Sequence, residues 1–404
     1  MTDCSQLTDG ARAILPGAVI DNTDIRLEVL FDQFLEPLSI AGQRWEFLVS
    51  QSEASGFMQS LYWARLKQAQ GMRVTQLILR SGGDIIGGAL LYTAPRNNGA
   101  GILSAPDGPV LPWADAALAG RGLSLIMEAA ESLAPKLGVM SFRIEPRLPL
   151  PVPKLLREFG RSLSDQNPQE TLFVSLAGQV EDILSSMRHK GRYNIAQSAK
   201  RGVRVLEEPA GSPESLRRFY GLLSEAGVRN GFLVEPFEFF EDLVEAFSED
   251  SLPSDLPSDL SGSPLTGEGD HSLPAVGKTS SLAPQIRFFF AELDGETIGA
   301  LLMVVYGRRA TYLYGGVSGR RREAMSGYAL QWAAMQSAWT LGCVEYDMYG
   351  YDQFRSPDNE YARFSQFKEQ FGGDVRRFIG AQEHYFVEDL AGAVIKAIKQ
   401  ANLT

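Results

Sequence analysis

Apolar runs recur along the chain in one order, twice. The early copy reads VTQLILRSGGDIIGGALLYTA, then GILSAPDGPV, then GLSLIMEAAESLAPKLG, then VMSFRIEP. The later copy reads IRFFFAELDGETIGALLMVVY, ATYLYGGVSG, MSGYALQWAAMQSAWTLG and CVEYDMYG, roughly 200 residues further on. In each, two β-rich runs flank a turn signal, Gly82-Gly83-Asp84 or Asp294-Gly295, which predicts an antiparallel hairpin. A third strand follows, then a helix with apolar residues at three- and four-residue spacing that closes at Gly138 or Gly342, then a fourth strand. The pattern predicts an α+β chain of two similar domains, residues 25–175 and 176–380, each a mixed sheet flanked by helices. A last helix over 381–404, with Leu390, Val394, Ile395 and Ile398 on one face, is expected to return to the first domain.

That order of elements is also the order of the acetyltransferase (GNAT-like) core, so two tandem GNAT-like domains are expected. Neither copy carries the usual pyrophosphate loop, Gln or Arg followed by x-x-Gly-x-Gly/Ala, which disfavours acetyl-CoA as donor. Residues 249–284 are dense in Ser, Pro, Gly and Asp and poor in aromatics, and read as a disordered insertion in the second domain.

Composition narrows the function. The chain is 44% hydrophobic and 22% charged, the balance of a globular protein. No run reaches the roughly 18 apolar residues of a membrane span, and the N-terminus lacks a basic start followed by an apolar run, so a cytoplasmic location is expected. Cys4 and Cys343 lie far apart, and only His189, His271 and His384 exist, so neither a metal centre nor a Cys-His nucleophile is expected. A formal charge of -11 argues against wholesale coating of nucleic acid. Two local basic clusters remain: Arg188, Lys190, Arg192, Lys200, Arg201 and Arg204, and later Arg308, Arg309, Arg320, Arg321 and Arg322. Each reads equally as a phosphate contact or a solvated face.

The stretch PQETLFVSLAGQVEDILSSMRHKGRYNIAQSAKRGVRV resembles the signature of the FemABX family: a strand, a short acidic helix start, then a basic helix of the form K-x-R-x-N-I-x-x-A-x-K-x-G-V. FMQSLYWARLKQAQG is similar to that family's Gln-x-x-x-Trp-x-x-x-Lys helix, and APDGPVLPW to its Gly-Pro-Val turn. FYGLLSEAGVRNGF, YLYGGVSG, VEYDMYG and FSQFKEQFGG resemble its later motifs in the same order, the last being Phe-Lys-x-x-Phe-Gly-Gly.

The resemblance implies an aminoacyltransferase that takes an aminoacyl group from aminoacyl-tRNA and adds it to the stem peptide of a UDP-linked or lipid-linked muropeptide. It implies no cofactor, a monomer, and peripheral contact with the inner membrane. The catalytic role falls on Lys368 with Phe367 beside it, and on Asp347, which would orient Lys368 or the acceptor amine, or cap a helix. The acceptor's diphosphate falls to Lys67 and Arg229, facing each other across the interdomain cleft, with Tyr314 preferred over Tyr312 and with Asp115 nearby. Leu233 and Pro112 stand where the family often has Tyr and Asp. Lys190, Arg192 and Lys200 are the expected contacts to donor tRNA or phosphate. Tyr346, Tyr349 and Tyr351 read more readily as core than as stacking surfaces. Two other readings keep the fold: an N-acyltransferase fed by an acyl thioester for exopolysaccharide or amino-lipid assembly, and a non-catalytic cell-wall scaffold.

Overall fold

Asp294 and Gly295 both take positive φ, 53° and 79°, the left-handed pair that a two-residue hairpin turn requires, and they join β10 (Gln285–Leu293) to β11 (Glu296–Tyr306). The computed structural model describes residues 19–22, 25–94, 101–209, 212–248, 282–357, 359 and 361–386. In the early copy, β3 (Arg73–Ser81) and β4 (Asp84–Thr93) form the matching hairpin. Next come β5 (Gly101–Pro106), α3 (Ala116–Leu137), which ends on left-handed Gly138, and β6 (Val139–Glu145). The later copy continues with β12 (Arg309–Val317), α8 (Ser326–Thr340) and β13 (Glu345–Gly350). In both, the third strand runs antiparallel to the second and parallel to the fourth.

The first sheet begins with β1 (Val19–Asn22) and β2 (Ile25–Leu30) and ends with β15 (Gln382–Tyr385) and β7 (Gly160–Arg161), in the order β1-β2-β3-β4-β5-β6-β15-β7. The second adds β8 (Glu170–Ser175), β9 (Arg204–Pro209) and β14 (Asp374–Arg377), in the order β14-β8-β13-β12-β11-β10-β9. Two expectations are corrected by this topology. The boundary expected at 175 moves to before Glu170, because β8 pairs with β13 and β14 of the second sheet. The chain does return to the first domain, but residues 382–385, expected to be helical, form a strand against β6. The expected helix beyond them, residues 387–404, lies outside the described residues, as does most of the expected insertion, 249–281.

Helices α1 (Ile40–Gln51) and α2 (Leu61–Ala69) of the first domain meet α6 (Pro213–Asn230) and α7 (Phe237–Ala246) of the second in one hydrophobic cluster. That cluster joins Trp45, Leu61, Ile78 and Leu90 to Phe219, Phe240, Phe288 and Leu302, so the domains share a core. A separate cluster lies under α3, and a third gathers beneath α8 with residues of α4 (Val180–Ser186). Helix α5 (His189–Lys200) packs on α8 and on the segment after α9 (Ala362–Lys368). Among the described residues no helix is long and apolar enough to cross a membrane.

Candidate active site

β13 supplies the floor of the site. Its Tyr346 is fully buried and donates to Gln331 Oε1 at 2.8 Å, anchoring the strand to α8. The next residue, Asp347, is also fully buried and accepts from Arg147 Nη2 at 2.6 Å, from Thr171 Oγ1, and from the Tyr349 backbone N–H at 2.8 Å. That last bond, from an Asp side chain to the backbone two residues on, favours a tight turn, and Tyr349 has φ 58°. The turn brings the carbonyls of Gly350 and Tyr349 to 2.5 and 3.4 Å from Lys368 Nζ. Lys368, the last residue of α9, is only 6% exposed, and burial pulls its pKa down to about 7, with Asp347 opposing the fall. The rings of Tyr312 and Tyr361 lie 5.6 and 5.9 Å from the Nζ.

Two cavities meet at this lysine. The larger, about 530 Å³, lies between the domains and is lined by Trp63 and Lys67 of α2, by Glu235, Phe239, Tyr312, Tyr314, Tyr349 and Tyr361, and by Lys368. The smaller, about 180 Å³, lies in the second domain and is lined by Arg229, Ala300, Gly316, Leu330, Gln331 and Phe367. Phe232, Tyr312, Gly315, Phe364 and Lys368 belong to both walls.

The sequence-expected residues divide accordingly. Lys67, Tyr312 and Tyr314 line the larger cavity. Lys67 lies 4.8 Å from the Trp63 ring, and burial lowers its pKa against the opposing field of Glu235. Burial pushes the Tyr312 hydroxyl up to about 12 and raises that of Tyr314 as well. Phe367 packs edge-on against Tyr328 and Phe371 and forms part of the smaller cavity.

Three placements differ from expectation. Arg229 does not face Lys67 across the cleft: it donates to Val317 O at 2.7 Å, approaches Glu225 at 3.4 Å, and lines the smaller cavity instead. Asp115 lines none of the cavities described; it caps α3, accepting from Ala117 N and Leu118 N at 3.0 and 2.9 Å, because a helix start leaves amides without partners. Asp347, expected to orient Lys368 or the acceptor amine or to cap a helix, borders neither cavity and sits behind the floor, where the lysine is within its reach only indirectly. Lys190, Arg192 and Lys200 border neither: Lys190 and Lys200 are exposed, and Arg192 donates to the carbonyls of Ser185 and Met187 at the end of α4. Their helix nonetheless abuts the site, since Gly191 packs so closely that an added Cβ would lie 2.1 Å from Gln370 O, two residues past Lys368.

Sequence reading missed the polar network behind the floor. Asp107 is buried with φ 54° and receives Asn167 Nδ2 at 3.2 Å, while Asn167 Oδ1 accepts from Tyr349 Oη at 3.1 Å. Burial raises the Asp107 pKa, and Arg147 and Arg309 oppose the rise. The signal was present for Asp107, which directly precedes Gly108-Pro109, whereas the acid was sought after that turn. Nothing in the local pattern marks Arg147, whose partner lies 200 residues away. Among the described residues no group of three or more His, Cys, Asp or Glu is placed to hold a metal ion. The arrangement offers a buried, fixed lysine between two cavities, whose ammonium form is suited to steadying negative charge that develops on a carbonyl oxygen.

The model of the FemAB family matches residues 43–150, 159–252 and 286–400. Among characterised relatives, the lipid II:glycine glycyltransferase of Staphylococcus haemolyticus (strain JCSC1435) is 22% identical over 402 residues, covering 88% of this chain and 94% of its own. The enzyme of the same name from Staphylococcus aureus (strain MRSA252) is 20% identical, with 88% and 94% covered. The crystal structure of FemX superposes with a TM-score of 0.71 at 16% identity, covering 89% of this chain and 99% of that one. A tandem GNAT protein from the clavulanic acid biosynthesis pathway gives 0.52 at 12% identity, covering 90% and 99%. Both share the fold.

Proposed function

Because this chain belongs to the FemAB family, we propose that it is an aminoacyltransferase that extends the stem peptide of a peptidoglycan precursor, the step that begins an interpeptide bridge. The observation that carries this reading is the position of Lys368, buried where two cavities meet. The relatives' name points to a lipid-linked acceptor and to glycine as the first amino acid to test. In this reading the larger cavity takes the acceptor, with Lys67 as a point charge for its diphosphate and the surrounding rings as walls. The donor is aminoacyl-tRNA, whose ester reaches Lys368 from the smaller cavity, with exposed Lys190 and Lys200 of α5 available to its phosphates.

The acceptor's amine nitrogen attacks the ester carbonyl. A C–N bond forms, the C–O bond to the ribose breaks, and the amine proton ends on the departing ribose oxygen. The Lys368 ammonium faces the oxyanion formed between these events, which is where a fixed donor lowers the barrier most. Work on a lipid-linked acceptor would bring a monomer to the cytoplasmic face of the membrane as a peripheral visitor. The test is incubation with pools of charged tRNA and with UDP-linked and lipid-linked pentapeptide separately, an acyl thioester serving as the competing donor, and products read by mass spectrometry. A mass gain of one residue that depends on charged tRNA supports the proposal. A gain only from the thioester, or no gain with either acceptor, sinks it.

A further inference from the structure

We infer that Arg147, contributed by the first domain, is a positioning residue for Lys368 in the second: it holds one oxygen of Asp347 so that the other can fix the turn whose carbonyls seat the lysine. The inference rests on the reading of Lys368 as the cation at the reacting centre.

The division of labour on Asp347 carries it. Oδ2 takes Arg147 Nη2, and Oδ1 takes Thr171 Oγ1 and the Tyr349 N–H. The carbonyls of Tyr349 and the next residue then hold Lys368 Nζ. Among the described residues Asp347 and Lys368 form no ion pair, so the acid reaches the lysine through the backbone turn and through its field. Arg147 is itself firmly placed: its side chain is 8% exposed, its backbone N–H donates to Ala54 O at 2.9 Å, and its guanidinium lies 4.9 Å from the Phe378 ring. It follows β6 by two residues, so the fold of the first domain sets the charge that Asp347 presents to the second. The other groups around Lys368 are the hydroxyl-bearing rings of Tyr312 from β12 and Tyr361 at the start of α9, while Tyr349 of β13 meets it through its backbone carbonyl and turns its hydroxyl to Asn167. Behind Asp347 stand Asp107 and Arg309, each within the field of Arg147.

The sign of the effect separates positioning from mere bracing. An acceptor amine of ordinary basicity, with a pKa of about 10, makes kcat/KM rise with pH until Lys368 begins to lose its proton, after which the two ionisations cancel and the profile levels. The wild-type break is therefore expected near the Lys368 value of about 7. Asp347→Asn removes the charge that supports the ammonium, so its break moves to lower pH. Arg147→Met frees that charge from its partner, and its break moves to higher pH, each by about half a unit or more. Arg147→Lys brings the break back toward wild type.

The experiment is the pH profile of transfer for the full chain and these variants, with folding followed by circular dichroism. Opposite displacements support the inference; an unmoved break in folded Arg147→Met, with only kcat reduced, overturns it. If that variant does not fold, Arg147→Met/Asp347→Asn removes both charges together, and its break must coincide with that of Asp347→Asn, a wild-type break overturning the inference. Loss of the break in the wild type, or full activity in Lys368→Met, instead overturns the reading of Lys368 on which the inference rests.

Discussion

In both sheets the fourth strand of the repeat carries a charged side chain that reaches the strand on its outer side, but the two charges are satisfied differently. In the first sheet Arg143 of β6 meets Glu383 of β15 at 3.0 Å, and Ser141 and Ser162 donate to the same carboxylate at 2.6 and 2.7 Å. Burial raises the Glu383 pKa, yet these donors outweigh it and leave the group below the usual carboxylate range. Every partner in that lock comes from the strands of one sheet or, in Ser162, from the residue next to its strand β7. In the second, Asp347 of β13 takes Thr171 of the neighbouring β8 but completes its bonding with Arg147 from the other domain. The strands also end differently. β6 runs into Glu145-Pro146, whereas β13 ends in left-handed Tyr349 followed by Gly350, and both turn their carbonyls toward Lys368. A duplicated scaffold is thus indifferent to chemistry. In the proposed reading, the reacting centre arises in the copy whose strand-four charge is left for the other domain to complete.

The comparison breaks most plainly at Lys368. Lys368→Met keeps the length and apolar stem of the side chain, and kcat is expected to fall by roughly a hundredfold or more while the acceptor's Kd changes little. Near-normal kcat would leave the second sheet as inert as the first. The next effect tests the join between the domains. Glu46 of α1 is buried, with its Oε2 2.6 Å from Tyr306 Oη of β11, and burial pushes its pKa up to about 8. The native state then holds a proton that the unfolded chain gives up above its ordinary pKa of 4.5, so stability is lost as pH rises from there through about 8. Glu46→Gln mimics the neutral acid and should flatten that decline, adding on the order of 2 kcal/mol at pH 8. Urea melts at pH 5 and pH 8 that keep the wild-type slope would refute the assignment.

A smaller effect sharpens the division of the cavities. Lys67→Met should weaken acceptor binding about tenfold and leave kcat at saturation nearly unchanged, the pattern of a contact present throughout the reaction. Calorimetric titration reads it, and an equal loss in kcat would move Lys67 into the reacting centre. The least effect is expected at Asp115, where Asp115→Ala should cost about 1 kcal/mol of stability through the lost α3 cap, with transfer kinetics untouched. A change in acceptor affinity there would restore the site role expected from sequence.

The repeat was legible because hairpin turns and helix periods are local signals, and both hairpins stand where the turn residues placed them. The domain boundary was not legible, because TLFVS is an apolar strand with nothing in it to say which sheet it joins. Nor was β15: Gln-Glu-His-Tyr lacks an apolar pattern, and Glu383 is tolerated inside only because three donors await it. The burial of Lys368 at the meeting of two cavities was not legible from its residue type, since a lysine at a helix end ordinarily reads as solvated, and only the motif singled it out. Arg229 shows the converse limit. Its position on the last turn of α6 could be read, but which side of β12 it would bind depends on Val317 O and Glu225, contacts that no spacing encodes.

The hydrophobic cluster common to α1, α2, α6 and α7 has a consequence for how the molecule comes apart. Neither half can be detached without exposing Trp45, Leu61, Phe219 and Phe240 to water, so the halves are not independent folding units despite their repeated order of elements. Heat or denaturant should therefore melt the protein in one cooperative step, and the chain cut before Glu170 should yield two insoluble fragments rather than two working modules. The groove between the halves is then a fixed mould, set when the chain folds and not reopened by swinging one lobe away from the other.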